Sequence, residues 1–424
     1  MSTDTRALVP GALFVALAGE RFDGHDYLEA AARGGAVAAV VRQGTAPVPG
    51  LTLLPVDDTL RAFGRMARAR RRRIAGPVVA ITGTNGKTST KEMVAAVLAT
   101  RYATYATRAN LNNLVGVPLT ILEAPADTEA LVVEAGANLP GEIARCREII
   151  EPDAVVVTNA VAGHLEGFGS LGGVLEEKLS LTDGVPLAIV GTEPAALAEG
   201  ARRRAGRVRT AGLRGADLVP DRVELAPDAR PVLTIRGRRF TLAARGLHQA
   251  DNAARVWALA EELGLDPDAA ARALEGFALP AGRGELLQAG GLTILQDCYN
   301  ANPQSFRAAI ATADALRRGR RLVFVAGTMR ELGDSSDALH AEIARELVAL
   351  GPDLLAGVGD FAAALAPYEA ALGDRLLTAE EPVALAPRLV SRLRGDEVVV
   401  LKASRGVALE RILPALTARA NTPV

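Results

Sequence analysis

The chain has 424 residues, of which 49% are hydrophobic, and a formal net charge of −1. A chain of this length is too long to fold around one hydrophobic core, so we predict two or three domains. The balanced charge excludes a general affinity for nucleic acid or a membrane surface, and no apolar run reaches the ~18 residues of a membrane span. We therefore expect no nucleic-acid partner and no membrane insertion. The absence of an opening signal peptide, and the spacing of Cys146 and Cys298, predict a cytoplasmic protein.

Lysine is rare in this chain. Of 48 basic residues only four are lysines, namely Lys87, Lys91, Lys178 and Lys402. Arginine does not replace lysine where a compact ammonium or a chemically modifiable amine is needed. The simplest explanation is that the four lysines occur at these positions by chance. One of them, however, lies in the glycine-rich loop described below. The other three are therefore positions to consider for function.

A small α/β module is predicted for residues 1–73. It contains an apolar stretch, a helix at about 26–34 and a strand at 36–41. Residues 65–73 form an arginine-rich run, which is interpreted either as a nucleic-acid patch or as a solvated helix end. The run has no interleaved aromatic residue, which favours the solvated helix end. Gly76-Pro77 interrupts the pattern, so we predict a domain boundary near residue 74.

The second domain begins with a β-branched strand that ends in a glycine-rich turn and opens a helix at 87–99. The turn is Gly83-Thr84-Asn85-Gly86-Lys87-Thr88. A strand, a glycine loop and a helix N-terminus in this order form a phosphate cradle. Lys87 is expected to neutralise the β- and γ-phosphates, and the Thr88 hydroxyl to hold Mg²⁺. The usual motif has glycine where this chain has Ile81, so the loop is a variant.

Three further side chains lie near this predicted cradle. Glu134 ends a strand at 130–133, where a carboxylate is well placed to hold Mg²⁺; a solvated strand end is the alternative. His164 follows a strand at 154–158, which makes a second metal position plausible, although most isolated histidines are structural or lie at the surface. Lys178 lies in a helix predicted at 171–181. Its acidic neighbours do not face it on a helix, so the residues alone leave its role open.

The remaining pattern predicts a central domain at 74–280 and a third domain at 281–424. In the third domain each strand leads into a polar loop and a helix, as in a doubly wound α/β fold. A β-rich stretch at 207–243 contains a hairpin turn at 226–231. Further strands are predicted at 187–190, 292–296, 321–326, 354–358 and 397–401. Helices are predicted near 194–204 and 267–276. Two more helices are predicted to follow the polar segments 246–252 and 297–303 and to end at about 263 and at 316.

The phosphate loop resembles that of the Mur ligases, the ATP-dependent amide-bond formers of bacterial cell-wall synthesis. Motifs across nearly the whole chain carry this resemblance in the same order. The stretches from His164 to Ser170 and from Tyr299 to Pro303 are similar to the branch that adds D-alanyl-D-alanine, whereas the loop is common to the superfamily. The other motifs are Gly11 to Gly19 with Asp23-Gly24-His25, Asn110-x-Asn112-Asn113, Glu134 to Ile143, Met329-x-Glu331-Leu332-Gly333, and Lys402-x-Ser404-Arg405.

The resemblance implies an α/β protein with three domains: a small N-terminal α/β module for the UDP-linked precursor, a central P-loop ATPase domain with a mostly parallel sheet, and a C-terminal Rossmann-like domain. It also implies that Lys178 is carbamylated by CO₂ and supports a second Mg²⁺, and that Glu134 and His164 join Thr88 at the metal ions. Lys87, Lys178, His164 and Glu134 are the implied catalytic residues. The implied ATP-binding residues are Gly83, Thr84, Asn85, Gly86, Lys87, Thr88, Ser89, Asn252, Arg283, Asn300 and Asn302. The implied substrate-binding residues are Thr5, Arg6, Phe14, Asn112, Asn113, Lys402, Ser404 and Arg405.

The reaction implied is the ATP-dependent addition of D-Ala-D-Ala to UDP-MurNAc-tripeptide through an acyl phosphate, carried out by a monomer.

Three alternatives remain. A folylpolyglutamate-type ligase has the same loop, but the N-terminal module and the His164 stretch argue against it. A divergent ligase for another amino acid or peptide is suggested by Leu139 and Thr328, where the family usually has His and Asp. Ser180 is a third departure from the family pattern. A nucleotide-binding homologue without activity is disfavoured because all the implied catalytic residues are present. The chain also starts at a motif that usually follows a further strand and helix, which a late-assigned start codon would explain.

Overall fold

The computed structural model describes residues 1–19 and 22–420, and it contains three α/β units with predominantly parallel sheets. This architecture confirms the predicted fold class. Within these residues, no helix combines the length and the apolar character needed to cross a membrane. The predicted boundaries near residues 74 and 281 stay predictions.

The N-terminal unit has a small parallel sheet in the order β1-β2-β3. The apolar residues of its strands face two helices, and Phe14 and Val41 are each 1% exposed in its core. The third strand was not predicted. The elements are β1 Leu13–Val15, α1 Leu28–Arg33, β2 Ala38–Arg42, β3 Thr52–Val56 and α2 Thr59–Arg71.

The arginine-rich run ends α2, and three of its arginines bind the central unit. Arg71 is only 8% exposed and donates hydrogen bonds to the carbonyls of Ile150 and Glu151. Arg68 and Arg72 both pair with the Glu151 carboxylate. Arginines therefore satisfy the C-terminal carbonyls of a helix in the next unit. The run is a helix end, as the sequence favoured, with Arg65, Arg68, Arg72 and Arg73 exposed to solvent, whereas Arg71 is buried against the central unit.

The central unit has a parallel sheet in the order β5-β6-β4-β7-β8-β9. β4 lies between β6 and β7, with Ile81 in register with Glu134 on one side and Val156 on the other. The carboxyl ends of these strands therefore meet at one edge, where ligands bind in such folds. The elements are β4 Val78–Thr82, α3 Lys87–Leu98, β5 Thr104–Ala106, α4 Gly116–Glu123, β6 Ala130–Glu134, α5 Glu142–Ile150, β7 Ala154–Val157, α6 Leu165–Phe168, α7 Leu171–Leu179, β8 Leu187–Val190, α8 Ala195–Arg202 and β9 Arg207–Thr210.

An antiparallel sheet and two helices complete the central unit. The predicted hairpin turn at 226–231 is confirmed, because the strands on either side of it pair antiparallel. Phe240 stacks on Trp257 with ring centroids 5.5 Å apart, which fixes the sheet on the first of these helices. That helix carries Asn252 to the phosphate loop, where a Cβ on Gly86 would lie 2.7 Å from its side chain. The elements are β10 Arg222–Leu225, β11 Pro231–Ile235, β12 Arg238–Thr241, α9 Leu247–Glu262 and α10 Pro267–Gly276.

The C-terminal unit has a sheet in the order β13-β14-β18-β15-β16-β17, parallel except for β13. Its doubly wound character is as predicted, but the edge strands β13 and β17 were missed. Lys402 at the end of β18 is in register with Asp297 and Ala326, so the polar loops after these strands lie together. The elements are β13 Glu285–Ala289, β14 Leu292–Asp297, α11 Pro303–Arg317, β15 Leu322–Gly327, α12 Ser336–Leu350, β16 Leu354–Val358, α13 Asp360–Leu365, α14 Glu369–Leu372, β17 Leu376–Ala379, α15 Pro382–Val390, β18 Val398–Lys402 and α16 Leu413–Ala420.

Candidate active site

The phosphate loop between β4 and α3 requires glycine at two positions. Gly83 and Gly86 have φ of +143° and +80°, a region that residues with a Cβ rarely adopt. A Cβ on Gly83 would lie 1.9 Å from Thr158 Oγ1, and one on Gly86 would lie 2.7 Å from Asn252 Oδ1. The two glycines therefore let the loop pack against the neighbouring strand end and α9.

Lys87 is the first residue of α3, and its ammonium folds back into the loop. Nζ donates hydrogen bonds to the Gly83 and Thr84 carbonyls at 2.8 and 2.9 Å. Burial lowers the pKa of Lys87 and exceeds the opposing effect of Glu134. The amine thus stands beside the helix N-terminus, where a phosphate group is attracted both by the ammonium and by the free backbone N–H groups.

Glu134 is buried at the end of β6 and is held by two polar side chains. Its side chain accepts hydrogen bonds from the Thr88 hydroxyl at 2.8 Å and from Asn112 Nδ2 at 2.7 Å. The residue is 2% exposed, so the alternative of a solvated strand end is wrong. A hydroxyl and a carboxylate oxygen in contact beside a phosphate loop are the hard oxygen donors that Mg²⁺ prefers.

His164 and Glu331 meet across the interface between the central and C-terminal units. His164 Nδ1 lies 2.6 Å from Glu331 Oε2. The hydrogen bond from this imidazole is the main cause of a lowered pKa of Glu331. His164 lines the same cleft as Glu134, and its Nδ1 is engaged by a carboxylate from the other unit.

Lys178 is buried in α7, so it is not an exposed helix charge. It is 1% exposed, and in the part of the chain that the structure describes its ammonium makes no hydrogen bond or ion pair. Its Nζ lies 5.2 Å from the centre of the Phe168 ring. Burial, followed by the positive charge of Lys87, lowers the pKa of Lys178 to about 7. A neutral amine, which reaction with CO₂ requires, is therefore accessible near neutral pH.

The C-terminal unit covers the phosphate loop directly. Asn302 caps α11 and also exchanges side-chain hydrogen bonds with Asn85, at 2.7 and 3.1 Å. Gln304 accepts a further bond from Asn85 at 2.8 Å. Lys402 is buried at the end of β18, where Nζ contacts the Asn300 carbonyl and Asp297. The loops after β14, β15 and β18 thus line the same cleft as the phosphate loop.

Aromatic and cationic side chains form the C-terminal wall of the cleft. The Arg283 guanidinium lies 3.7 Å above the Tyr299 ring centre, and that of Arg405 lies 5.3 Å from the same centre. The cleft has a volume of about 980 Å³. It brings together sixteen of the predicted site residues: Thr84, Asn85, Gly86, Lys87, Thr88, Ser89, Asn112, Asn113, Glu134, His164, Asn252, Arg283, Asn300, Lys402, Ser404 and Arg405.

Six predicted site residues lie outside the cleft lining. Gly83 and Asn302 support the lining through the contacts described above, and Lys178 lies behind it. Thr5 and Arg6 are in a short 3₁₀ turn of the N-terminal unit, where Arg6 pairs with Asp4. Phe14 points into the core of that unit, so its side chain does not support the prediction of a direct substrate contact.

The residues at the three departures from the family pattern also lie outside the cleft lining. Leu139 is 60% exposed in the loop before α5. The Thr328 hydroxyl accepts a hydrogen bond from the Asp360 N–H at 2.9 Å and so holds the start of α13. The Ser180 hydroxyl donates to the Glu177 carbonyl. The contacts of Thr328 and Ser180 are local and structural.

The donor set fits a divalent cation that is shared with a phosphate ligand. Within residues 1–19 and 22–420, no three His, Cys, Asp or Glu side chains are grouped to hold a metal ion by themselves. Thr88 and Glu134 nevertheless offer two oxygen donors at the phosphate loop. Mg²⁺ is usually bound by one or two carboxylates and completed by phosphate oxygens and water. The residues present therefore fit a Mg²⁺ ion that arrives with its nucleotide.

Two residues that contact across the cleft were not among the predicted site residues. Gln304 bonds both Asn85 and, through Nε2, Glu193 of the central unit at 2.9 Å. Glu331 was noted only as part of a motif. Both follow a strand of the C-terminal sheet at its carboxyl end, and that position was the signal available in the sequence.

A glycine loop that faces a second α/β unit across a polar cleft is typical of an enzyme that holds a nucleotide against another substrate. Three family models match successive parts of the chain. They are the Mur ligase family catalytic domain at residues 1–71, the Mur ligase middle domain at 81–260, and the Mur ligase glutamate ligase domain at 282–405.

Named relatives match nearly the whole chain. The UDP-N-acetylmuramoyl-tripeptide–D-alanyl-D-alanine ligase of Bacillus subtilis is 34% identical, covering 97% of this chain and 92% of the relative. The ligase of the same name from Escherichia coli is 35% identical, covering 98% and 93%. A crystal structure of MurF from Acinetobacter baumannii has a TM-score of 0.89 at 30% identity, covering 98% and 93%. MurF from Thermotoga maritima in complex with ADP has a TM-score of 0.86 at 27% identity, covering 99% and 97%.

The chain belongs to the Mur ligase family, and it is an ATP-dependent ligase. The resemblance read from its motifs is confirmed.

Proposed function

We propose that this protein adds D-Ala-D-Ala to UDP-N-acetylmuramoyl-tripeptide in peptidoglycan precursor synthesis. The observation that carries the proposal is the single cleft in which the phosphate loop, Glu134 and the end of β18 face one another. The relatives that carry this activity in their names match all three units of the chain. The polar loops of the C-terminal unit line the cleft opposite the phosphate loop, which supports a second substrate site there.

The proposed chemistry has two steps. A carboxylate oxygen of the tripeptide attacks the γ-phosphorus of ATP, ADP leaves, and an acyl phosphate forms. The amine of D-Ala-D-Ala then attacks the acyl carbon, phosphate leaves, and the amine proton is lost to solvent or a base. Lys87 and the N-terminus of α3 stabilise the negative charge of the transferring phosphoryl group. The partly buried position of Lys87 strengthens this interaction because water screens it less than at an exposed site.

Mg²⁺ is proposed to bind Thr88 and Glu134, with His164 near a second position. When bound, it would reduce repulsion between the phosphates and the substrate carboxylate. The Thr88–Glu134 contact fixes both oxygens before the nucleotide enters. Lys178 is proposed to be carbamylated, which its buried and unpaired amine favours.

The N-terminal unit is proposed to hold the UDP end of the precursor through Thr5 and Arg6. The remaining assignments, Asn112, Asn113, Lys402, Ser404 and Arg405 for the substrates and Ser89, Asn252, Arg283 and Asn300 for ATP, are proposed from their shared cleft. The protein is proposed to act as a monomer in the cytoplasm.

The decisive experiment measures phosphate release with ATP, UDP-MurNAc-tripeptide and D-Ala-D-Ala while each substrate is omitted in turn. We expect release to require all three, and mass spectrometry to detect the pentapeptide product. Tripeptides with lysine and with diaminopimelate at the third position are tested in parallel. Release that occurs with another amino acid or dipeptide but not with D-Ala-D-Ala would overturn the proposal in favour of a divergent ligase.

A further inference from the structure

The contact between His164 and Glu331 joins the central and C-terminal units. The other contacts described between these units are the hydrogen bonds of Asn85 and Gln304. His164 follows β7 of the central sheet, whereas Glu331 follows β15 of the C-terminal sheet. Their side chains are 20% and 51% exposed, and Nδ1 and Oε2 are 2.6 Å apart. The contact is therefore shielded on the histidine side and partly open on the carboxylate side.

The backbone at both ends of this contact is in an unusual conformation. His164 and Glu331 have φ of +55° and +66°, in the left-handed region that residues other than glycine seldom adopt. Gly333 also has φ of +56°, and a Cβ there would lie 3.5 Å from the Glu166 backbone. The segment around Glu331 is thus packed on the segment that follows His164, and each bend directs its side chain toward the other.

The C-terminal unit fixes the segment that carries Glu331 from both sides. The Met329 N–H donates to Nε2 of the buried His340 at 2.9 Å, and His340 Nδ1 contacts the Ser336 carbonyl at 2.8 Å. The Arg330 N–H donates to Ser404 Oγ at 3.0 Å. Two successive backbone N–H groups before Glu331 are therefore anchored, which limits where its carboxylate can reach.

We propose that Glu331 is a positioning residue that holds His164 in its Nδ1–H tautomer and turns Nε2 toward the cleft. A carboxylate that accepts the N–H of one imidazole nitrogen leaves the other nitrogen as the acceptor and raises its basicity. Because Glu331 belongs to the C-terminal unit, His164 is oriented only when that unit covers the central one. The ligand site near Glu134 is thereby completed by domain closure. The role of His164 at the metal ion rests on the proposed function, whereas the assignment of its tautomer does not.

The tautomer is tested by nitrogen-15 NMR of histidine side chains in the full-length protein at pH 8, without metal or substrate. We expect His164 in the wild type to show a protonated Nδ1 and an unprotonated Nε2. In Glu331→Ala, which removes the acceptor, the His164 signals should approach those of a mixture of the two tautomers. Glu166→Ala is the matched control, since Glu166 is exposed in the same segment, and it should leave the His164 signals unchanged. An Nε2–H tautomer in the wild type, or unchanged signals in Glu331→Ala, would overturn the proposal.

A second measurement follows closure and ion binding without turnover. Thermal unfolding of the protein with ADP is recorded over a Mn²⁺ titration and again with Mg²⁺. Glu331→Gln should need about 10- to 100-fold more metal for half of the stabilisation, as is typical for loss of a carboxylate behind a histidine ligand. Glu331→Asp, which keeps the charge but shortens the reach, should fall between. The expected NMR result, combined with the same metal concentration for half of the stabilisation in Glu331→Gln and wild type, would support the tautomer assignment and contradict a role of His164 at the metal.

Discussion

Asn85 in the phosphate loop and Asn302 at the start of α11 exchange two amide hydrogen bonds across the cleft, at 2.7 and 3.1 Å. Asn302 also caps α11 through the Ser305 N–H at 2.9 Å. One side chain therefore serves both the stability of a helix and the contact between two units. This double role can be separated by substitution, because a cap needs only a short side chain whereas the contact needs an amide.

Replacing Asn302 by serine should separate the two roles. Serine caps helices about as well as asparagine, so we expect the capping contribution to the free energy of unfolding to change by less than about 0.5 kcal/mol. Serine is too short to reach Asn85, and loss of two hydrogen bonds of about 1 kcal/mol each should raise KM for ATP roughly 30-fold. Asn302→Ala is the comparison variant and should also lose about 1 kcal/mol of stability. An unchanged KM in Asn302→Ser would show that the contact does not support nucleotide binding.

Lys87 should be required for phosphoryl transfer. Lys87→Ala removes the ammonium that faces the loop carbonyls, and we expect kcat to fall by about 10²- to 10³-fold. Lys87→Arg retains the charge but places a larger planar group in a partly buried site, so it should rescue little of the activity. Phosphate release measured with all substrates saturating provides the comparison. Near-normal turnover by Lys87→Ala would contradict the assignment of the loop as the catalytic phosphate site.

Activity should depend on CO₂ through Lys178. The pKa of this buried amine is lowered to about 7, so above that pH most of it is neutral and able to react. Removing CO₂ and bicarbonate from the buffer should reduce kcat of the wild type by roughly tenfold, the scale expected when a group supporting a metal ligand is lost. Lys178→Ala should be impaired at any CO₂ level and partly rescued by a short carboxylic acid. Lys178→Arg, which retains a charge but cannot form the carbamate, should not respond to CO₂.

Docking of the N-terminal unit should weaken in acid because of Glu151. Its pKa is lowered to about 2 from an ordinary value of 4.5, mainly by the hydrogen bond from Arg72 and also by that from Arg68. A lowered carboxyl pKa stabilises the folded protein above pH 4.5, and this stabilisation is lost as the pH falls from about 4.5 to about 2. Allowing for solvent screening, Glu151→Gln should cost about 1 kcal/mol at pH 7.

The pH dependence is measured by denaturant unfolding at several pH values. The difference between wild type and Glu151→Gln should shrink toward zero at pH values near 2. Glu148→Gln serves as the control, since Glu148 is exposed on the same helix, α5. A difference between wild type and Glu151→Gln that is constant over this range would mean that the ion pairs with α2 contribute nothing measurable.

Local pattern was enough to predict much of the fold. The strand at 187–190 and the helix at 267–276 have the predicted bounds, because alternating segments with clear glycine or proline ends depend little on distant residues. Edge strands such as β3 and β13 were missed. Their residues are half exposed and carry a weaker apolar pattern, and they become strands only because a neighbouring strand pairs with them.

The sequence by itself determined the phosphate loop, the order of the units and the residues that end each strand, since these follow from local spacing and residue type. Tertiary structure alone decided which of those residues meet. It buried Lys178 behind the cleft and lowered its pKa, it turned Phe14 into the core, and it placed Glu331 of one unit against His164 of another. Burial, desolvation and contacts between distant segments arise only when the sheets pack together, and for that reason no local pattern encodes them.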